Sequence, residues 1–180
     1  MSELPDAAAD NAAADNAAAG RWVLDPAGSR ADFYVKHFWG AMTVHGWFGQ
    51  LTGEATVASD GSATGTVTID AASLNTKNKQ RDKHLRSADF FAADTHPHLT
   101  IAVAQASLTG PDALTGTGTI EIAGQAKPLE FAAQVEQSES AIVLRTEVTI
   151  DRTEFGITWS PLKMTAPTAR TAVVARFVRA

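Results

Sequence analysis

The sequence predicts an all-β fold, eight antiparallel strands closing into a barrel, with a short helical insertion between the third and fourth strands. Three observations lead there. Apolar and polar residues alternate with the period of two that half-buried strands require. Val67 and Ile69 alternate with Thr66, Thr68 and Asp70, and Leu144, Thr146, Val148 and Ile150 with Arg145, Glu147, Thr149 and Asp151. Turn formers separate the runs: Asp60-Gly61, Gly110-Pro111-Asp112 and Ala123-Gly124-Gln125 all suit hairpins. Finally, an open sheet of sequential strands would leave two raw edges and an uncovered apolar face, and closure removes both. A two-sheet sandwich is the competing architecture, and the sequential hairpins favour the barrel over it.

Taken in order, the chain opens with a tail. Residues 7–20 repeat Ala-Ala-Ala-Asp-Asn with a period of five, which walks around a helix instead of building one stripe and offers nothing large to bury. A disordered Ala/Asp/Asn tail over residues 1–20 and a folded domain over residues 21–180 are expected. The strands are expected at residues 30–38, 43–58, 63–70, 99–107, 113–123, 127–136, 141–151 and 170–179. Gly46, Gly49 and Gly53 along the long second run suggest bends or bulges. The insertion, residues 75–97, does not alternate. Between Lys77 and Arg86, five cations (Lys77, Lys79, Arg81, Lys83, Arg86) and one acid (Asp82) give a local excess of +4 in a chain of net charge −5, and Phe90-Phe91 follows. Asp82 and Arg86 are spaced for a helical charge pair, and Ser87 for a cap.

Composition excludes several classes. An acidic balance of 20 Asp and Glu against 15 Lys and Arg does not supply the broad basic surface of a nucleic-acid binder. With no cysteine there is no disulfide, thiolate metal site or thiol nucleophile. No apolar run approaches the roughly 18 residues of a membrane span, so stable membrane insertion is not expected. Residues 1–20 lack the basic and apolar regions of an export signal, from which a cytoplasmic location is expected.

Several pieces, in order and at matching distances, resemble the YceI-like, lipocalin-like domain of bacteria, also called the polyisoprenoid-binding family. They are Trp22-Val23-Leu24-Asp25-Pro26-Ala27-Gly28-Ser29 and Val35-Lys36-His37, then Asn78, Arg81-Asp82, His84-Leu85-Arg86-Ser87, Asp89-Phe90-Phe91 and Pro97. Gly118-Thr119-Ile120-Glu121-Ile122, Lys127-Pro128-Leu129 and Ile150-Asp151-Arg152-Thr153-Glu154-Phe155-Gly156-Ile157 complete the set. Gly28 stands where the family usually has histidine, and Ala123 and Ala126 replace a usual His and Thr. The resemblance implies an extended barrel that binds a long amphiphile, a polyisoprenoid or isoprenoid quinone, without an assigned catalytic machinery.

An apolar-tailed ligand needs a dry tunnel with polar groups at its mouth. The residues expected to line it are Phe33, Val35, Phe48, Val67, Ile69, Ile101, Val103, Ile120, Ile122, Phe131, Val148 and Ile150. The same residues would equally fill a solid core. Arg81, His84 and Arg86, with Phe90 and Phe91, are the candidates for a head-group site; the alternative is a structural network tying the insertion down through Arg86 and Asp82 or Asp89. An acid–base enzyme using His84 with Asp82 or Asp89 and an interaction module presenting Trp39, Trp47 and Trp159 are the other classes weighed. A homodimer could use the same tryptophan surface. No cofactor or metal is expected: His96-Pro97-His98 lacks a third ligand, and His37 and His45 would have to meet across a hairpin.

Overall fold

The computed structural model describes residues 17–180. The expected tail falls almost wholly on residues 1–16, outside the described residues. The strands are β1 (Gly20–Leu24), β2 (Arg30–His37), β3 (Met42–Phe48), β4 (Leu51–Val57), β5 (Ala63–Asp70), β6 (Leu74–Asn75), β7 (His98–Leu108), β8 (Ala113–Ile122), β9 (Gln125–Gln137), β10 (Ala141–Asp151) and β11 (Thr168–Arg179), with helix α1 (Lys79–Arg86) between β6 and β7. The ladder runs β1-β4-β5-β7-β8-β9-β10-β11, and β11 pairs back onto β1, closing eight antiparallel strands. The same edge of β11 also carries β2, which leads on to β3 and β6.

Nine of the eleven strands fall in the eight expected runs, the run 43–58 holding two of them, whereas β1 and β6 were not expected. β1 and β2 are one strand interrupted by a 3₁₀ turn at Pro26–Gly28, where the Asp25 carboxylate caps the Ala27 N–H. β3 and β4 are one long strand broken at Gly49-Gln50, as the glycines along it suggested. The break lets the sheet divide. β4 stays in the barrel with β1 and β5, while β3 leaves it with β2. Residues 74–97 occupy the gap that opens between β3 and β5: β6 pairs β3 through Leu74 and Trp47's neighbour Phe48, and the Ala71 N–H donates to the Pro97 carbonyl.

The far end of the barrel is closed by tight connections and by the chain start. Trp22 is 1 % exposed, and its indole N–H donates to the Ala18 carbonyl at 2.8 Å. Arg179 lies over the Trp22 ring and donates to the Ala17 and Ala19 carbonyls. The folded unit therefore takes in residues 17–20, ahead of the boundary expected at residue 21. At the opposite end β9 and β10 diverge. They pair only from Gln134–Arg145 to Gln137–Ile142, and a side-chain bond from the Thr146 hydroxyl to the Ala132 carbonyl continues the contact. Pro128 sits in the divergent part of β9, opposite Thr119 of β8, and has no N–H to offer a second neighbour. The sequence thus marks this stretch as an edge, and the splayed edge widens the mouth.

Outside the barrel, side chains on β2, β3 and β11 stack in a ladder. Arg30 covers Trp47, His45 stacks on Tyr34 at 4.6 Å, and Arg170 covers Tyr34 at 4.0 Å. Asp32 sits at its centre, 2.7 Å from His45 Nε2. Partial burial pushes the Asp32 carboxyl up, but hydrogen bonds from Arg30 and His45 outweigh it and hold the group below the usual carboxylate range.

Inside, Phe33 lies directly over Gly46: a Cβ at position 46 would come within 2.3 Å of the Phe33 ring and 2.8 Å of Thr76. Gly46→Ala is therefore expected to lower stability by about 1–3 kcal/mol through overpacking, read as a shift in the urea midpoint at unchanged slope. A neutral result would mean that Phe33 is free to move aside.

Candidate functional site

Apolar side chains fill much of the interior but leave two chambers in series. The inner one, about 240 Å³, is walled by the inward faces of all the barrel strands and reaches the closed end at Leu108, Leu114, Val135 and Ile142. The outer one, about 600 Å³, lies at the divergent end beneath α1 and the loop after β10. Phe33, Phe48, Leu99, Ile122, Ile150 and Thr171 belong to the walls of both. The partition is aromatic: Phe91 comes down from the insertion to 5.5 Å from Phe48 and 6.5 Å from Phe33, and those two rings are 5.5 Å apart.

The expected lining residues divide between them. Phe33, Phe48, Val67, Ile69, Ile101, Val103, Ile120, Ile122, Phe131, Val148 and Ile150 face the inner chamber, and Val35 faces the outer one. Neighbours such as Leu129, Leu144 and Val173 share the same face and line the same wall, as the period of two requires.

The insertion is built by caps. Asn78 accepts from the Arg81 N–H at the start of α1, and the Ser87 N–H donates to the His84 carbonyl at its end. Asp82, 6 % exposed, accepts from both the backbone N–H and the hydroxyl of Thr76. Leu85, Phe90 and Phe91 pack on the core. The expected Asp82–Arg86 pair does not form. Arg86 instead donates to the Ala72 and Leu74 carbonyls at 2.9 and 2.6 Å, straps the helix to the chain before it, and is absent from the chamber wall. In this position Arg86 ties α1 to the segment that carries β6.

Arg81 and His84 do reach the outer chamber, with Phe90 and Phe91. Arg81 is braced by Thr76, donating to its hydroxyl at 2.8 Å and its carbonyl at 2.9 Å. His84 Nε2 is 3.0 Å from Asp89, and its ring is edge-on to Phe90 and Trp159. Of the two carboxylates weighed as partners for His84, Asp89 is the one in contact; Asp82 is committed to Thr76.

The residue missed from the candidate list is Arg152. It follows β10, is 8 % exposed, and lines the outer chamber. Its guanidinium donates to the Ala166, Ile157, Trp159 and Thr165 carbonyls at 2.8, 2.6, 3.2 and 3.2 Å, holding the loop of residues 156–167 in place. None of its partners is a carboxylate. Burial pushes the guanidinium below its usual range, and an arginine remains cationic at neutral pH all the same. The adjacent Asp151 carboxylate opposes that push, while the guanidinium's hydrogen bonds all go to backbone carbonyls. The signal was present in the quoted stretch from Ile150 to Ile157, where a lone Arg follows an alternating strand. Nearby, His37 Nδ1 is 2.8 Å from the Thr165 hydroxyl.

The other histidines stay apart. His37 faces the outer chamber, whereas His45 is in the exterior ladder, so the two do not meet across their hairpin. His96 packs against the β8–β9 turn, where a Cβ on Gly124 would approach its ring at 2.5 Å, and His98 pairs with Asp70. No group of three His, Asp or Glu side chains arranged for a metal occurs among the described residues. Trp47 lies under Arg30 and Lys77, while Trp39 and Trp159 are exposed.

A closed antiparallel barrel with a mainly apolar interior, arginine and histidine side chains at one end and a helical insertion over that end defines a lipocalin-like domain. The chain belongs to the YceI-like domain family, whose model matches residues 22–177. It is 31 % identical over 120 residues to a UPF0312 protein of Azotobacter vinelandii, a match covering 64 % of this chain and 62 % of that protein. Against the protein YceI of Escherichia coli the identity is 32 % over 121 residues, 65 % of this chain and 62 % of the other. The chain thus spans less than two thirds of the curated relatives it matches. Among solved structures, Burkholderia cenocepacia BcnA superposes with a TM-score of 0.76 at 20 % identity, over 85 % of this chain and 98 % of that one. A polyisoprenoid binding domain from Saccharophagus degradans gives 0.72 at 15 % identity, over 88 % and 98 %. These likenesses establish the fold.

Proposed function

We propose that the domain binds a long amphiphilic isoprenoid, with the tail threaded into the inner chamber and the head held in the outer one. One observation carries this reading: two chambers in series, the inner one walled mainly by aliphatic and aromatic side chains with a few polar residues such as Thr66 and Gln137, and the outer one, at the mouth, bearing Arg81, His84, His37 and Arg152. A filled core has no reason to gather its arginines and histidines at one end in this way. The Saccharophagus degradans neighbour, described as a polyisoprenoid binding domain, supports the same class of ligand.

Magnitudes assign the roles. Each buried methylene stabilises by about 0.8 kcal/mol, so a five-carbon isoprene unit contributes up to about 4 kcal/mol before ordering costs. Two or three units in the barrel exceed anything a partly solvated head contact adds. The tail supplies affinity and the mouth supplies orientation. The guanidinium of Arg81, which faces the outer chamber, favours a head that is anionic or carries a carbonyl oxygen.

The test is native mass spectrometry of freshly purified protein, solvent extraction of anything released, and titration of the emptied protein with prenyl diphosphates and isoprenoid quinones. A stoichiometric adduct removed by extraction and restored by one of these compounds is expected. A protein that purifies empty and takes up none of them would overturn the reading and leave a filled barrel acting through its surface.

A further inference from the structure

The exposed large apolar side chains of the described residues are not scattered. Of the six, Val23, Phe38, Trp39, Met42, Trp159 and Leu162, five lie at the mouth. Phe38, Trp39 and Met42 belong to the β2–β3 turn, and Trp159 and Leu162 to the loop after β10. The two are joined: the Trp39 N–H donates to the Met164 carbonyl, the Ala166 N–H donates to the Lys36 carbonyl, and His37 contacts Thr165. Trp39 is 71 % exposed and Leu162 79 % exposed.

Their backbone makes the arrangement more specific. Phe38 and Trp39 have φ of 50° and 54°, and Leu162 and Lys163 have φ of 52° and 54°. The left-handed region suits glycine and asparagine and disfavours bulky side chains. Two neighbouring turns thus hold Phe38, Trp39 and Leu162 in unfavourable backbone states, and Trp39 and Leu162 are the most exposed of the large apolar residues. Strain of this kind persists where the projected surface is used. Exposed lysines accompany the prong: Lys36 near the end of β2, Lys163 on the second turn, and Lys79 and Lys83 on α1 over the same mouth. Asp89 and Glu154 are acids exposed at the same end.

We propose that this two-turn prong seats the mouth of the barrel on the surface of an anionic lipid bilayer. Tryptophan, phenylalanine and leucine flanked by lysines are the side chains that partition into the headgroup layer of such a surface. The local basic excess of Lys77–Arg86, in a chain of net charge −5, orients that end toward anionic lipid. No described helix is long and apolar enough to cross a membrane. The placement rests on the proposed function in one respect: a long isoprenoid resides in a bilayer, and a mouth seated on the surface can take it up without carrying the tail through water.

The test is co-sedimentation with vesicles of phosphatidylcholine and phosphatidylglycerol, alongside phosphatidylcholine alone. The wild type is compared with Trp39→Ser/Leu162→Ser, whose altered side chains line neither chamber. The wild type is expected to partition onto the mixed vesicles, and the double variant to lose at least about tenfold in partitioning at unchanged thermal stability. Equal sedimentation of both proteins, or of neither, overturns the proposal. So does light scattering that shows a wild-type dimer dissolved by the double substitution without any vesicle binding, which would assign the prong to a second copy of this chain. Farnesyl diphosphate uptake in vesicle-free buffer separates the two readings: uptake without vesicle binding sinks the docking alone, and vesicle binding without uptake sinks the ligand alone.

Discussion

Arg152→Met is expected to destabilise the domain by at least about 2 kcal/mol, since a buried carbonyl left without its donor costs about 1–3 kcal/mol. Four backbone carbonyls, those of Ile157, Trp159, Thr165 and Ala166, take their bonds from this one guanidinium. Methionine matches the length of the stem and returns none of those bonds. Arginine's planar fork reaches carbonyls in several directions, whereas a lysine ammonium is a compact point donor. Arg152→Lys is therefore expected to recover less than half of the lost stability. The loop of residues 156–167 should open first. Because Trp159 packs on His84 and Phe90, its fluorescence is expected to shift below the global melting temperature in either variant. Urea titration with fluorescence and circular dichroism read together checks this. A Met variant within 1 kcal/mol of wild type would show that water replaces the guanidinium and that Arg152 is not the brace described above.

The barrel was legible in the sequence because strand alternation and closure are nearly local properties. The 63–70 and 141–151 runs agree with β5 and β10 to the residue. The lining residues follow from the same alternation, since inward positions recur every second residue whatever the tertiary details. What escaped is what long-range hydrogen bonding decides. β1 was read only as the place where the domain begins, because it is a short strand whose partners, β4 and β11, lie far away in sequence. Arg86 and Arg152 look alike in sequence, each a cation after an ordered element. Their roles depend on which carbonyls they reach: those of residues 72 and 74 for Arg86, and those of residues 157–166 for Arg152. Period and charge do not encode which carbonyl a side chain meets. Asp82 shows the same limit, since its helical spacing to Arg86 was satisfied while Thr76 took both of its bonds. The prong was half visible as Trp39 and Trp159. Its left-handed backbone was not, because nothing in Phe38-Trp39 or Leu162-Lys163 announces a state those residues disfavour.

Ala106→Phe is expected to change which tail length the domain accepts, not whether it binds. Ala106 faces the inner chamber on β7, opposite Gly116, and is 5 % exposed. A phenyl ring there occupies the deep part of the chamber and leaves the outer chamber, with Arg81, His84 and Arg152, untouched. Under the two-chamber reading, a short prenyl chain that reaches only the aromatic partition keeps its affinity. A chain long enough to reach Ala106 must withdraw at least one isoprene unit, which at about 0.8 kcal/mol per methylene weakens it by on the order of a hundredfold or more. The ring enters a cavity instead of a close-packed wall, so stability should change by less than the loss expected at Gly46. Titrating wild type and variant with a series of prenyl diphosphates of increasing length separates the outcomes. A uniform loss across the series would place the tail elsewhere, and an unchanged series would show that it never passes the Phe33, Phe48 and Phe91 partition. Only a loss that sets in beyond a given length is the signature of a tail lying in the barrel.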